Sequence, residues 1–270
     1  MFVRDPCGIL CIIVTYLAVF YADYVVVKWI VLYTMQESLW CPLHVIAFNT
    51  VVLLLMMSHL KAVCTDPGVV PLPQSRMDFS DIHTGSGSED CDERDDWTVC
   101  SRCETYRPPR AHHCRICKRC IKKMDHHCPW INNCVGERNQ KYFIQFLVYV
   151  GVLAMYAVAL LISAWAYDCP QCSNDMAIKQ TRILHCVILG LESVMFGTFV
   201  IAILVYQFQA ILDDETTIER LQTSSHRRNT KTFALLSQVC GKSHPIFWLL
   251  PCHNPPRYSY RRDFLVDHEV

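Results

Sequence analysis

The chain has 270 residues, 25 Lys+Arg against 25 Asp+Glu, 52% hydrophobic residues, 17 Cys and 12 His, with a mean hydropathy of +0.18. The apolar fraction and the 9 Gly exclude a disordered or collagen-like chain, and zero net charge gives no general attraction to nucleic acid. Soluble domains are excluded by where the apolar residues fall: stretches 38–60, 142–167 and 193–212 contain no Asp, Glu, Lys or Arg over 23, 26 and 20 residues, against the ~20 that cross a bilayer as helix.

A fourth apolar stretch, 8–33, is interrupted only by Asp23 and Lys28. The pattern therefore predicts an α-helical polytopic membrane protein with four transmembrane helices, near 8–33, 42–60, 142–167 and 183–212. The first stretch is too long for a signal-peptide core and has no small-residue cleavage site, so it reads as a retained span. Asp23 and Lys28 can pair near the interface, whereas a charge inside a span otherwise marks a functional site. Glu192, a third of the way into its span, reads either as a protonated, interior-facing group or as a sign that the helix boundary lies elsewhere. Outside the spans, the segments before the first helix, between the second and third, and after the fourth hold 22 Lys and Arg, and the other two connections hold 2. The positive-inside rule then puts both termini and the central segment in the cytoplasm.

Five regions follow: helices 1 and 2 (1–63), a cytoplasmic linker (64–97), a cysteine-rich domain (98–141), helices 3 and 4 (142–212) and a cytoplasmic tail (213–270). Within the linker, Gly85-Ser86-Gly87-Ser88 is followed by six acids and one Arg over 89–96, the composition of a solvated tether. No internal repeat of 20 to 50 residues is apparent. Seven cysteines, Cys100, Cys103, Cys114, Cys117, Cys120, Cys128 and Cys134, fall in 35 residues with His112, His113, His126 and His127. In a reducing compartment C-x2-C pairs offer thiolates for tetrahedral Zn²⁺ rather than disulfides. Two Cys3His sites would use six of the seven cysteines and leave one thiol over; spacing alone does not say which. Such a segment has few apolar residues, so metal bonds must supply its folding energy. Cys169-x2-Cys172, on the far side of the membrane, suits a disulfide or unpaired thiols better than zinc.

The run Cys100-x2-Cys103-x9-His113-Cys114-x2-Cys117-x2-Cys120-x4-Asp125-His126-His127-Cys128-Pro129-Trp130, continuing to Asn132-Asn133-Cys134-Val135-Gly136, resembles the cysteine-rich domain of the DHHC protein S-acyltransferases, the palmitoyltransferases. The likeness extends to Asp66-Pro67-Gly68 after the second span, Thr216-Thr217-Ile218-Glu219 after the fourth, and the four-span layout. Its texture is most similar to the Golgi-associated GODZ-like branch. The resemblance implies one structural zinc on Cys100, Cys103, His113 and Cys120 and a second on Cys114, Cys117, His127 and Cys134. It leaves Cys128 as the free nucleophile, with His126 as its base and Asp125 as the acid that orients the base. His112 keeps a hydrogen-bonding role. The tail departs from the family, with Val239-Cys240-Gly241 where many members have Val-Phe-Gly and Leu235 where they have Asn.

Chemically, a thiol becomes a good nucleophile at neutral pH only beside a base or a positive field, and a nucleophile, base and orienter in series supply one. Because residues one and two apart do not face each other on a helix, their geometry is expected from a loop. A Cys3His zinc carries a net −1 charge with its thiolates, which suits a scaffold rather than an activator. The implied reaction is transfer of a palmitoyl group from acyl-CoA to Cys128 and then to the cysteine of a target protein, without ATP. The seven Lys and Arg and no acids over 107–123 form either a solvated face or a contact for anionic lipid or coenzyme A phosphates. Expected partners are target proteins, acyl-CoA and membrane lipid, with no nucleic acid and with homo-oligomers left open; the expected setting is a Golgi or other endomembrane. The alternative is a membrane-tethered zinc adaptor without catalysis. An acyl chain reaching the bilayer midplane descends ~15 Å, about ten helical residues, which places its end near 152–156 and makes Leu153 the candidate floor of an acyl cavity.

Overall fold

Asp5 and Pro6 set where the first span begins: the Asp5 carboxylate accepts hydrogen bonds from the Cys7 and Gly8 amides, both at 3.2 Å, and Pro6 occupies the first helical position. The computed structural model describes residues 5–72, 97–166, 175–221 and 231–252, so the acidic tether and Cys169 and Cys172 lie outside the described residues. Four helices are long and apolar enough to cross a membrane: α1 (Pro6–Met35), α2 (Trp40–Cys64), α3 (Gln140–Ala166) and α4 (Met176–Leu212). The chain is thus an α-helical multi-pass membrane protein with its cysteine-rich segment between the second and third spans.

The last span starts about two turns before the expected residue 183. Asp175 caps it, accepting from the Ala177 amide at 2.8 Å. Arg182 is accommodated inside the helix because its guanidinium donates to the Trp29 carbonyl at 3.2 Å and the Ala164 carbonyl at 3.1 Å. Asp23 and Lys28 form no ion pair with each other among the described residues. Lys28 lies over the Tyr24 and Trp29 rings, 5.3 and 5.4 Å from their centres, while Asp23 Oδ1 is buried without a hydrogen-bond partner. Over Val25–Leu32, the segment that contains Lys28, the helix widens into π-type turns.

Helix α3 packs against both α2 and α4, and the apolar core runs between them and α1 through Phe48, Leu55, Phe146 and Leu189. The cysteine-rich segment is three antiparallel hairpins: β1 (Thr98–Cys100) with β2 (Thr105–Arg107), β3 (His112–Cys114) with β4 (Arg119–Ile121), and β5 (His126–Cys128) with β6 (Asn133–Val135). Their strands are three residues each, too short to stand alone.

This segment is clamped to the end of α2. The Asn133 amide nitrogen donates to the carbonyls of Ala62, Val63 and Thr65 at 3.3, 3.1 and 3.0 Å, taking up groups that a helix end leaves open. Asn139 donates to the Cys134 carbonyl at 2.7 Å and to that of Ala62 at 3.3 Å. Asp66-Pro67-Gly68 is both a turn and a clip. Asp66 accepts from the Gly68 and Val69 amides at 2.9 Å each and from Arg138 at 3.1 Å, and Gly68 sits at φ +107. A Cβ at Gly136 would fall 2.6 Å from the Pro67 carbonyl oxygen, so the two strands of chain meet there without side chains between them.

After the fourth span come α5 (Thr217–Leu221) and α6 (Thr232–Cys240). Leu235 and Val239 of α6 are buried against Ile144 and Ile211, with Cys240 alongside. The apolar Leu235 is thus seated in an apolar cluster, and beyond it the Trp248 carbonyl accepts from Gln145 at 2.7 Å and the Leu249 carbonyl from the Tyr149 hydroxyl.

Candidate active site and zinc clusters

Two sets of four side chains converge in the hairpins: Cys100, Cys103, His113 and Cys120, and Cys114, Cys117, His127 and Cys134. In the first, His113 Nδ1 lies 3.6, 3.2 and 3.9 Å from the sulfurs of Cys100, Cys103 and Cys120. In the second, His127 Nδ1 lies 3.8, 3.4 and 3.7 Å from those of Cys114, Cys117 and Cys134. A tetrahedron with Zn–S of ~2.3 Å and Zn–N of ~2.1 Å puts neighbouring donors about 3.6 Å apart. Three sulfurs and one imidazole nitrogen at these separations fit zinc, and each set can hold one ion. The sets are related by a shift of fourteen residues at every ligand. The turns repeat with them, since Glu104, Lys118 and Asn132, again fourteen apart, all take left-handed backbone at φ 48, 55 and 47.

Cys128 belongs to neither set. It lies on β5 with His126, and the alternation of a strand places residues two apart on one face, so a short strand rather than a loop brings thiol and imidazole together. The Cys128 side chain lies near enough to the His126 ring to help raise its pKa, and His126 Nδ1 is 2.7 Å from Asp125 Oδ2. Asp125 is 2% exposed and nevertheless fully supplied with donors. Its Oδ1 accepts from the Thr217 amide and hydroxyl at 2.7 and 2.8 Å, and its Oδ2 also accepts from the Gln207 amide nitrogen at 2.8 Å. Burial opposes its charge, but His126, Thr217 and Gln207 outweigh burial and hold the carboxyl well below the usual range. Burial likewise opposes a charged His126, yet its bond to Asp125 and the nearby Cys128 push it up to about 9.

Thr217 is itself held. Thr216 and Glu219 form a reciprocal cap, with the Thr216 amide 2.6 Å from Glu219 Oε2 and the Glu219 amide 3.3 Å from the Thr216 hydroxyl. Arg110 donates to both Glu219 oxygens at 2.7 and 2.9 Å and to Asp214 at 3.0 Å, tying this segment to the hairpins. Glu219 and Asp214 overcome burial and keep that guanidinium charged. Sequence reasoning missed Arg110, which lies inside a basic run, and Gln207, whose only signal was a polar side chain in an apolar stretch. The repeat of fourteen was legible and went unread. On the other side of Cys128, fully buried His59 donates from Nε2 to the Trp130 carbonyl at 3.0 Å, and its Nδ1 accepts from the Tyr16 hydroxyl at 3.2 Å. His112, the residue equivalent to His126 one repeat earlier, has a buried Nε2 without a hydrogen-bond partner, and burial followed by the nearby Arg107 charge pushes its pKa down.

His126 and Cys128 open onto a cavity of about 330 Å³ between the four spans. Its walls are apolar, including Val19, Leu55, Phe146, Val150, Phe199 and Val200. On α3 the lining runs from Phe143 to Ala157, about 20 Å of helix. Leu153 is buried in that wall, and the space continues one turn beyond it to Ala157, with Ala22 and Glu192 also in the lining. Leu153 is thus one lining residue among others, and Glu192 also lines the cavity, from its own span.

Residues 93–224 match the model of the family described as DHHC palmitoyltransferase, a span that includes α3, α4 and the Thr217 segment. The chain is 35% identical over 261 residues to palmitoyltransferase ZDHHC3 of Homo sapiens, covering 94% of this chain and 84% of that protein. It is 36% identical over 255 residues to palmitoyltransferase ZDHHC7 of Mus musculus, covering 93% and 80%. It is 28% identical over 225 residues to probable protein S-acyltransferase 13 of Arabidopsis thaliana, covering 80% and 74%.

Proposed function

The chain belongs to the DHHC palmitoyltransferase family, and from that premise we propose that it transfers a palmitoyl group from acyl-CoA to cysteine thiols of proteins through a thioester on Cys128. The observation that carries the reading is the Asp125–His126–Cys128 series at the mouth of an apolar cavity, with every cysteine ligand around it already committed to a zinc set.

In the first half-reaction His126 takes the Cys128 proton. The sulfur attacks the thioester carbonyl, the bond to the coenzyme A sulfur breaks, and His126 returns the proton to the departing thiolate. In the second, a target cysteine loses its proton to His126 and attacks the acyl carbon, and Cys128 leaves as the thiol. One thioester replaces another at each stage, so no ATP is consumed. Asp125 holds the tautomer in which Nε2 is free to work and stabilises the imidazolium. Each four-residue set would hold one zinc ion, which would supply folding energy to hairpins that have little core of their own. The cavity receives the acyl chain while its carbonyl stays at the membrane edge, and Leu153 sets how readily longer chains enter. A non-catalytic zinc adaptor would have no use for a free thiol, a positioned histidine and a deep apolar cavity in one place.

The excess of Lys and Arg on one side supports a cytoplasmic placement of the hairpins and both termini, and the resemblance to the GODZ-like branch supports a Golgi location. Purified protein incubated with labelled palmitoyl-CoA is expected to acquire label that hydroxylamine removes, and to pass it to a cysteine peptide. Absence of such label in protein retaining its zinc would overturn the reading.

A further inference from the structure

Glu192 lies at the deep end of the cavity, far from Cys128. A Cβ at Gly197 would fall 3.2 Å from the Ala154 Cβ, and one at Gly190 would fall 3.3 Å from Leu161 Cδ2. Glu192, between those two glycines, is therefore level with the stretch from Ala154 to Leu161, which includes Ala157, the last residue of α3 in the lining. It faces inward. Leu191, Val194 and Met195 are exposed on the outer side of α4, whereas Ser193 and Phe196 line the cavity with Glu192. Two turns nearer the start of α4, His185 Nδ1 is 3.0 Å from the Tyr21 hydroxyl and the His185 ring stacks on Trp29 at 5.2 Å, so α1 and α4 meet beneath this level. The other polar lining groups are engaged or lie elsewhere: the Thr15 hydroxyl donates to the Cys11 carbonyl at 2.9 Å, and His126 and Cys128 belong to the mouth. Among the described residues, none gives the Glu192 carboxyl a hydrogen bond or an ion pair. A polar group among apolar walls costs free energy until it gains a partner, and an ionisable side chain inside a span marks a function.

We propose that Glu192, with the Ser193 hydroxyl beside it, gives the acyl cavity a hydrogen-bonding floor, which makes long acyl chains that end in a hydroxyl group substrates of this enzyme. The inference rests on the acyl-enzyme reading above and extends its substrate class; the chemistry at Cys128 is unchanged. An extended palmitoyl chain held at Cys128 spans much the same distance as the lining of α3, so its far end arrives at the level of Glu192. A methyl group there leaves the carboxyl without a partner, whereas a terminal hydroxyl supplies one. Glu192 is thus a specificity-determining residue that reads the end of the chain rather than its length.

The test compares chains within one protein. Full-length protein in lipid nanodiscs is given labelled palmitoyl-CoA, ω-hydroxypalmitoyl-CoA or a palmitoyl-CoA hydroxylated at mid-chain, and single-turnover label on Cys128 is measured for each. The ω-hydroxy chain is expected to load at least as fast as palmitoyl. The mid-chain hydroxyl, buried among apolar walls, is expected to load about tenfold more slowly. In Glu192→Leu the ratio of ω-hydroxypalmitoyl to palmitoyl loading should fall about tenfold, and in Glu192→Gln, which keeps hydrogen-bonding groups, it should hold. Leucine is no smaller than glutamate, so a floor that acts by bulk alone leaves this ratio unchanged. Because the ratio is taken within one protein, a variant that folds less well lowers both rates and the ratio is still read. Equal rejection of the ω- and mid-chain hydroxyls by the unmodified protein, or an unchanged ratio in Glu192→Leu, would overturn this inference and leave the acyl-enzyme reading standing. No label on Cys128 from any of the three chains would overturn both.

Discussion

The β3–β4 and β5–β6 hairpins are two versions of one design, His-His-Cys-x5-Cys closed through a left-handed turn, with His113 opposite Cys120 in one and His127 opposite Cys134 in the other. In the first, Cys114 is a zinc ligand because Cys117, His127 and Cys134 complete its set. In the second, Cys128 occupies the equivalent place, but the position of Cys117 is taken by fully buried Ile131. The positions of the other two ligands, shifted by fourteen, are Lys141 and Val148 on α3. Cys128 is thus a ligand position deprived of its set. Equally, Ala111 precedes His112 where Asp125 precedes His126, so only the later histidine has a carboxylate partner. The free thiol thus sits on the same backbone as a ligand, set apart by the absence of the other three ligands and by the acid that precedes its histidine pair.

The largest effects should come from making the same change in both hairpins. Cys128→Ser is expected to abolish acyl-enzyme and transfer while zinc stays at about two per chain, one for each set. Cys114→Ser is expected to lose about one zinc and with it much of the segment's folding energy, which for structural sites is on the order of 10 kcal/mol. Metal analysis beside hydroxylamine-sensitive labelling reads both, and zinc loss in Cys128→Ser would break the comparison.

The histidines should divide in the same way. His126→Ala is expected to keep both zincs and slow acyl-enzyme formation by about 10²–10⁴-fold, the usual worth of a positioned acid–base group. His127→Ala is expected to lose about one zinc, and His112→Ala to change neither zinc content nor rate. Equal zinc loss in the His126 and His127 variants would mean that the two adjacent rings have exchanged roles.

What the sequence could and could not carry follows from distance along the chain. The four spans, the two ligand sets and the free thiol were legible, because spans announce themselves by uninterrupted apolarity and the ligands by close spacing and family resemblance. The start of α4 was misjudged because Lys179 and Arg182 looked like loop, whereas helix-end carbonyls satisfy Arg182. The shell around Asp125 was illegible: Gln207 and Thr217 are 82 and 92 residues from it, and Arg110 reaches Glu219 across 109. Nothing local marks such contacts, and the same packing decides that Leu235 seats the tail.

That shell separates the two hairpins further, since the carboxylate it holds has no counterpart beside His112, and it yields a smaller effect. Arg110→Ala should leave both zincs bound but free Glu219 and Asp214, unsettling the Thr216–Glu219 cap and the hold of Thr217 on Asp125. Hydrogen bonds to a charged group contribute about 1.5–3 kcal/mol, and loss of part of this at one remove should slow acyl-enzyme formation by about tenfold. Arg110→Lys restores charge without the paired contact to Glu219, so only partial recovery is expected. Single-turnover labelling measures both, and an unchanged rate in Arg110→Ala would show that Asp125 is held without the tether.

The smallest effect concerns what lies beneath the hairpins, for among the described residues the β5–β6 hairpin is the one that lines the cavity between the spans, through His126, Cys128, Pro129 and Trp130. Leu153 lines that cavity one turn before Ala157, which lines it too, so we expect its side chain to set the width of the lower part rather than its end. Leu153→Ala should widen the passage and raise the preference for longer acyl-CoAs, and Leu153→Phe should block it and favour shorter ones. A methylene more or less in an apolar pocket changes discrimination by roughly 10–200-fold at most, and because the wall can adjust, a shift of about tenfold is expected. Ala157→Phe, acting a turn deeper, should leave short chains untouched and exclude only the longest. Competition among acyl-CoAs of different length for label on Cys128 measures all three. If Ala157→Phe leaves the chain-length profile of the unmodified protein unchanged, the acyl chain ends at or above Leu153 and the lowest turn of the cavity is unused.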